Sequence, residues 1–155
     1  MRTLNAMVAS VVLGLLPVLR VDAQMSLICS LVNPRALVFG AYNPLVSAPL
    51  EAQASVDVVC SGTGAGRAQL SLLAGYSGRV HARALQSGRA TLLYEVYQDA
   101  AHSVLWGDGT AGTSTLALTL RPGLNQRFYM HGRMPAYQNV LPGSYVDVVP
   151  IQLNF

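Results

Sequence analysis

Lysine is absent from this chain: all ten of its basic residues are arginine. Charge of either sign is sparse, at 11% of residues against roughly 25% in an average soluble domain, while apolar residues reach 52%. A surface with so little charge points to partners that cover part of it. The arginines are scattered, so no basic run marks a nucleic-acid site. Cysteine is scarce, with only Cys29 and Cys60, too few to make a structural zinc site. His81, His102 and His131 stand singly, none paired with a second His or Cys at metal-ligating spacing. Beyond the N-terminal stretch, no run supplies the roughly 20 apolar residues that a membrane-spanning helix needs.

Enzyme signatures are equally thin. Gly75-Tyr76-Ser77-Gly78 departs from the G-x-S-x-G of a nucleophile elbow, and no strand-to-helix pattern surrounds it. Ser61–Gly66 is glycine-rich but lacks the spacing and the following helix of a phosphate-cradling loop, and reads as a connection. The sequence therefore points to a protein that is not an enzyme and uses no cofactor.

At the N-terminus, Arg2, an apolar stretch from Ala6 to Leu19 and Val21-Asp22-Ala23 before Gln24 read as a secretory signal peptide over residues 1–23. Its removal leaves a single domain, residues 24–155, with eight arginines against six acids, a net +2 that implies no anionic partner. Secretion to an oxidising compartment makes a Cys29–Cys60 disulfide the default expectation.

What the chain has in quantity is alternation. In Glu51–Cys60 the residues Ala52, Ala54, Val56, Val58 and Cys60 face one way and Glu51, Gln53, Ser55 and Asp57 the other, the period of a half-buried strand. Further strands are expected over Ala36–Tyr42, Ala68–Ala74, Ala90–Asp99, around Leu116–Leu120 and over Gln126–Arg133, with Gly75–Gly88 as a polar connection. The last stretch alternates to its end: Val149, Ile151, Leu153 and Phe155 on one side, Pro150, Gln152 and Asn154 on the other. Pro150 has no N–H for a ladder, which suits a sheet edge or a bulge. No sustained helical period follows the signal, so short strands at turn-marked intervals predict an all-β antiparallel sandwich. The outward row Arg127, Tyr129, His131 and Arg133 is the best candidate for a surface-contacting patch. It is also what the wet face of any sandwich strand presents. Trp106 suits a core and Asp108 a turn.

A series of motifs then resembles the spore coat protein U domain family, which includes the subunits of archaic chaperone-usher pili. The series is an early Cys, F-G-x-Y at Phe39–Tyr42, a second Cys at Cys60, R-x-L at Arg83–Leu85, L-x-Y-x-x-Y-x-D from Leu92 to Asp99, W-G-D-G-T at Trp106–Thr110 and G-x-Y-x-D from Gly143 to Asp147. The resemblance implies an incomplete immunoglobulin-like antiparallel β-sandwich completed by a donor strand. A periplasmic chaperone first lends that strand, and a neighbouring pilin subunit replaces it after passage through an outer-membrane usher. Val149, Ile151, Leu153 and Phe155 are the implied chaperone or donor-strand interface. The implied destination is a cell-surface pilus serving adhesion or biofilm formation. Only Gln24–Ile28 separate the expected cleavage point from Cys29, roughly 17 Å of extended chain. That shortness raises the alternative of a tip or terminal adhesin subunit that accepts a strand without donating one. A self-contained secreted coat or matrix protein is the remaining reading.

Overall fold

The computed structural model describes residues 26–155. The expected signal peptide lies outside the described residues. Eight strands follow one another: β1 (Leu27–Arg35), β2 (Leu50–Gly62), β3 (Gly66–Leu72), β4 (Arg83–Ser87), β5 (Ala90–Tyr97), β6 (Leu116–Leu120), β7 (Asn125–Met134) and β8 (Ile151–Asn154). They form a five-stranded sheet in the order β1-β2-β7-β5-β4 and a three-stranded sheet in the order β6-β3-β8, with every strand pairing antiparallel. The described residues contain no helix. The protein is an all-β antiparallel sandwich.

The alternation in the sequence translates into the core. Ala54, Val56, Val58 and Cys60 from β2, Leu70 and Leu72 from β3, Leu92, Tyr94 and Val96 from β5, and Leu118 and Leu120 from β6 are buried against one another. Cys29 is the direct ladder partner of Cys60 and is bonded to it, with Cα atoms 4.1 Å apart, so the disulfide joins β1 to β2 across adjacent strands.

Three elements differ from the sequence reading. Ser55 and Asp57, on the outer face of β2, are buried too. Arg127 donates to the Asp57 carboxylate through Nε (2.7 Å) and Nη2 (2.9 Å), and Asn33 adds a third bond at 3.1 Å. These donors, Arg127 foremost, hold the Asp57 carboxyl down at about 2.

A second difference lies in Gly75–Gly88, expected as a connection but containing β4. Arg83 is wholly buried there. Its Nη2 donates to the carbonyls of Leu72 (3.0 Å) and Leu73 (3.3 Å), and its Nη1 lies 3.6 Å from Glu95 Oε2. An arginine whose head bonds backbone carbonyls can occupy a position that composition assigns to solvent. Burial pushes the Glu95 carboxyl up to about 7, against the pull of the Arg83 charge.

Finally, Ala36–Tyr42, expected as a strand, belongs to no ladder. Leu37 and Phe39 still turn inward while Val38 is 73% exposed. Side-chain alternation is present, and the backbone neighbour that would make it a strand is not among the described residues.

Candidate functional site

The 36–42 segment and the approach to β8 stand opposite each other and leave the sandwich open between them. A cavity of about 440 Å³ has Pro34–Leu37 on one wall, Asp147–Val149 and Ile151 on the other, and the core residues Ala54, Leu72, Tyr94, Val96 and Met130 at its base. Past Leu37, Phe39 and Leu85 it continues into a second space of about 540 Å³, bounded by Tyr42 and Val140–Tyr145 with Leu92 and Met134 beneath. Together they make one apolar groove.

Both walls carry unpaired backbone. β8 is an edge strand that pairs with β3 alone, through Leu72↔Ile151 to Gln69↔Asn154. Edge strands of this kind are templates for another chain. Val149, Ile151 and Leu153 are half-buried against the core, short of full cover, whereas Phe155 is 70% exposed. Pro150 immediately precedes the edge strand, where its missing N–H removes nothing from the ladder, and its carbonyl accepts from Leu73 N at 2.9 Å.

Several family-type motifs hold the groove in shape. Phe39 meets Tyr94 edge to face, with ring centroids 5.7 Å apart. Gly132 on β7 permits this, since a Cβ there would lie 2.8 Å from both Phe39 Cζ and Leu37 Cδ1. The Tyr42 hydroxyl donates to Pro135 O (2.9 Å) and accepts from Gln138 N (2.8 Å). On the far wall the Asp147 carboxylate accepts three bonds: Tyr76 N at 2.7 Å, Val148 N at 2.8 Å and the Tyr94 hydroxyl at 2.8 Å. One acid thus ties the 75–76 loop, the core tyrosine and the segment leading into β8 together. Tyr145 donates to Leu141 O at 2.7 Å. Sequence reasoning noted Asp147 as a motif residue without seeing this role, because its partners lie as far as 71 positions away.

Elsewhere, Trp106 is buried and its Nε1 donates to Leu70 O at 3.0 Å, while Asp108 accepts from Thr110 N and Oγ1 within its turn. The row Arg127, Tyr129, His131 and Arg133 lies on the outer face of the five-stranded sheet, remote from the groove. Arg127 is committed to Asp57, Tyr129 is 49% exposed, and Arg133 lies 3.9 Å from Glu51. No cluster of three or more potential metal ligands occurs among the described residues, and no described helix is long and apolar enough to cross a membrane.

Comparison with known proteins agrees with this architecture. The chain is 30% identical over 133 residues to Protein U of Myxococcus xanthus, spanning 76% of this chain and 70% of that protein. Its fold resembles, with a TM-score of 0.59 and 21% identity, a chain in the crystal structure of the CsuC-CsuE chaperone-tip adhesion subunit pre-assembly complex from archaic chaperone-usher Csu pili of Acinetobacter baumannii. That match covers 84% of this chain and 40% of the other, so this chain spans well under half the length of its structural neighbour. The Spore Coat Protein U domain matches residues 16–152, nearly the whole length. The chain belongs to the Spore Coat Protein U domain family.

Proposed function

We propose that this chain is a secreted structural subunit of a bacterial surface pilus, assembled by the chaperone-usher pathway and completed by a strand from another chain. The observation that carries this reading is the groove with unpaired backbone on both walls. A strand laid between segment 36–42 and β8 would bond the free edge of β8, and its alternate apolar side chains would cover the half-exposed Leu37, Phe39, Val149, Ile151 and Leu153. The nine-residue wall from Pro34 to Tyr42 would run beside roughly 30 Å of extended partner. In the periplasm that partner is a pilus chaperone; in the fibre it is a neighbouring subunit, received at the outer-membrane usher. The likeness to a chain of a chaperone–subunit complex supports the same reading. Attachment or biofilm formation is the use to which such a fibre is put, and the assembly role calls for no catalysis.

Leu27 and Ile28 pair with Gly62 and Ser61 in β1. Those two residues are thereby occupied in the domain's own ladder, which favours a subunit that accepts a strand.

The test is to replace Ile151 and Phe155 with Asp, singly and together. Ile151→Asp places a charge on the groove wall and should abolish chaperone capture and surface assembly; Phe155→Asp, at an exposed position, should weaken capture less. Unchanged assembly of the double variant would sink the proposal.

A further inference from the structure

The outer face of the five-stranded sheet, on the side away from the groove, carries a second feature. Pro49, Glu95, Tyr97, Arg133, Pro135 and Ala136 surround a depression of about 370 Å³, within the range of small-molecule sites, roughly 300–1,000 Å³. The ladder register sets Arg133 between Glu51 on β2 and Glu95 on β5. Tyr97, two residues along β5 on the same face, packs edge to face with the His102 ring, centroids 5.1 Å apart.

The rim at 135–138 is built rigidly. Gln138 acts as a substitute strand residue where β7 has ended: its Oε1 accepts from Leu93 N at 2.7 Å and its Nε2 donates to Leu93 O at 2.9 Å and to Pro135 O at 3.2 Å. Between these anchors Tyr137 is held at φ 59° with its side chain 67% exposed. Non-glycine residues persist in that region when their surroundings over-determine them. The Tyr42 hydroxyl of the groove wall bonds the same turn from its other side, through Pro135 O and Gln138 N.

The chemistry of the depression selects a ligand class. An aromatic wall offers a face for the C–H groups of a sugar ring. The guanidinium and the acid beside it can donate to and accept from hydroxyls. Arg133 lies 3.9 Å from Glu51, and Glu95 is paired with the buried Arg83, so the depression offers no unopposed positive charge to an anion, and its polar lining disfavours an apolar segment. We propose that this depression binds a neutral saccharide, its ring against Tyr97 and its hydroxyls bonded by Arg133 and Glu95.

The proposal is tested on residues 24–155, in the soluble complex that carries them if the groove needs a partner, by calorimetry and saturation-transfer NMR with cellobiose, maltose, chitobiose and glucuronate. At least one neutral disaccharide should bind saturably, and glucuronate should bind about tenfold more weakly or not at all. Tyr97→Ala and Arg133→Ala should each weaken binding by about tenfold or more, with Tyr97→Phe within about threefold and melting temperatures checked throughout. Tyr129→Ala, on the same strand as Arg133 but outside the depression, should leave binding unchanged. Arg133→Gln repeats the test should either alanine variant fail to fold. Absence of saturable binding by all three disaccharides, binding that survives loss of both side chains, or glucuronate binding at least as tight as the neutral sugars would overturn it. Groove variants bear on none of these outcomes, so this proposal and the pilus reading fail separately.

Discussion

The Asp147 carboxylate is the joint on which the far wall of the groove depends, and Gly75 is the residue that makes room for it. A Cβ at position 75 would fall within contact of both Asp147 oxygens and 2.5 Å from its Cγ. Gly75→Ala must therefore move the carboxylate, which already accepts from Tyr76 N, Val148 N and the Tyr94 hydroxyl. Hydrogen bonds to a charged group contribute about 1.5–3 kcal/mol each. Some would be re-formed with water at this partly exposed site, so the expected loss is about 2–4 kcal/mol, a fall in melting temperature on the order of 10 °C. The assay is a double-mutant cycle by denaturant unfolding of Gly75→Ala, Asp147→Ala and the pair, each in the protein whose groove is filled by a donor-strand segment. Once the carboxylate is gone there is nothing for the new methyl to strike, so Gly75→Ala should add little to Asp147→Ala. Additive effects, or a Gly75→Ala protein as stable as the parent, would show that Asp147 is not the joint described.

Removing the cross-strand disulfide by Cys29→Ser with Cys60→Ser should cost about 3–4 kcal/mol for a bridge spanning 31 residues, read from denaturant midpoints of the strand-complemented protein. Two acids set opposite pH trends. The Asp57 carboxyl, held near 2 against an ordinary 3.8, contributes stability that is present above about pH 4 and lost as pH falls toward 2; Arg127→Ala should flatten that limb. Burial raises the Glu95 carboxyl to about 7 from 4.5, so its contribution is full below about pH 4.5 and is lost as pH rises through 7. Unfolding free energies of the strand-complemented protein, measured from pH 2 to 8, should therefore fall on both sides of a maximum near pH 4–5; a profile that only rises would contradict the Glu95 assignment, and one that only falls the Asp57 assignment.

Much of the sandwich was legible because its strands are half-buried. In β2, β3, β5, β6 and β7 the period of two fixes which side chains point inward, and those side chains are the core. The same signal says nothing about whether a backbone neighbour exists, which is why 36–42 read as a strand although it pairs with none. It also gives the face without saying whether that face is covered, so Ser55 and Asp57 read as wet. β4 was hidden by Arg83, whose burial depends on carbonyls 10 and 11 residues earlier. The edge position of the terminal strand was legible from Pro150 and its apolar alternation. The groove's other wall was not, since Leu37, Phe39 and Gly132 come together only through the fold. The outer-face row was seen as one patch, yet contacts between strands divide it: Arg127 belongs to an ion pair and Arg133 to a depression completed by residues from three other segments.

The decisive experiment is to express residues 24–155 in the periplasm with and without a pilus chaperone and to determine what stays soluble. A protein with an open groove should be recovered as a one-to-one complex when both are present and should aggregate alone, and adding an extended segment of a neighbouring subunit should displace the chaperone. A soluble monomer that unfolds cooperatively without any partner would contradict this, leaving β8 as the closing strand of a complete sandwich.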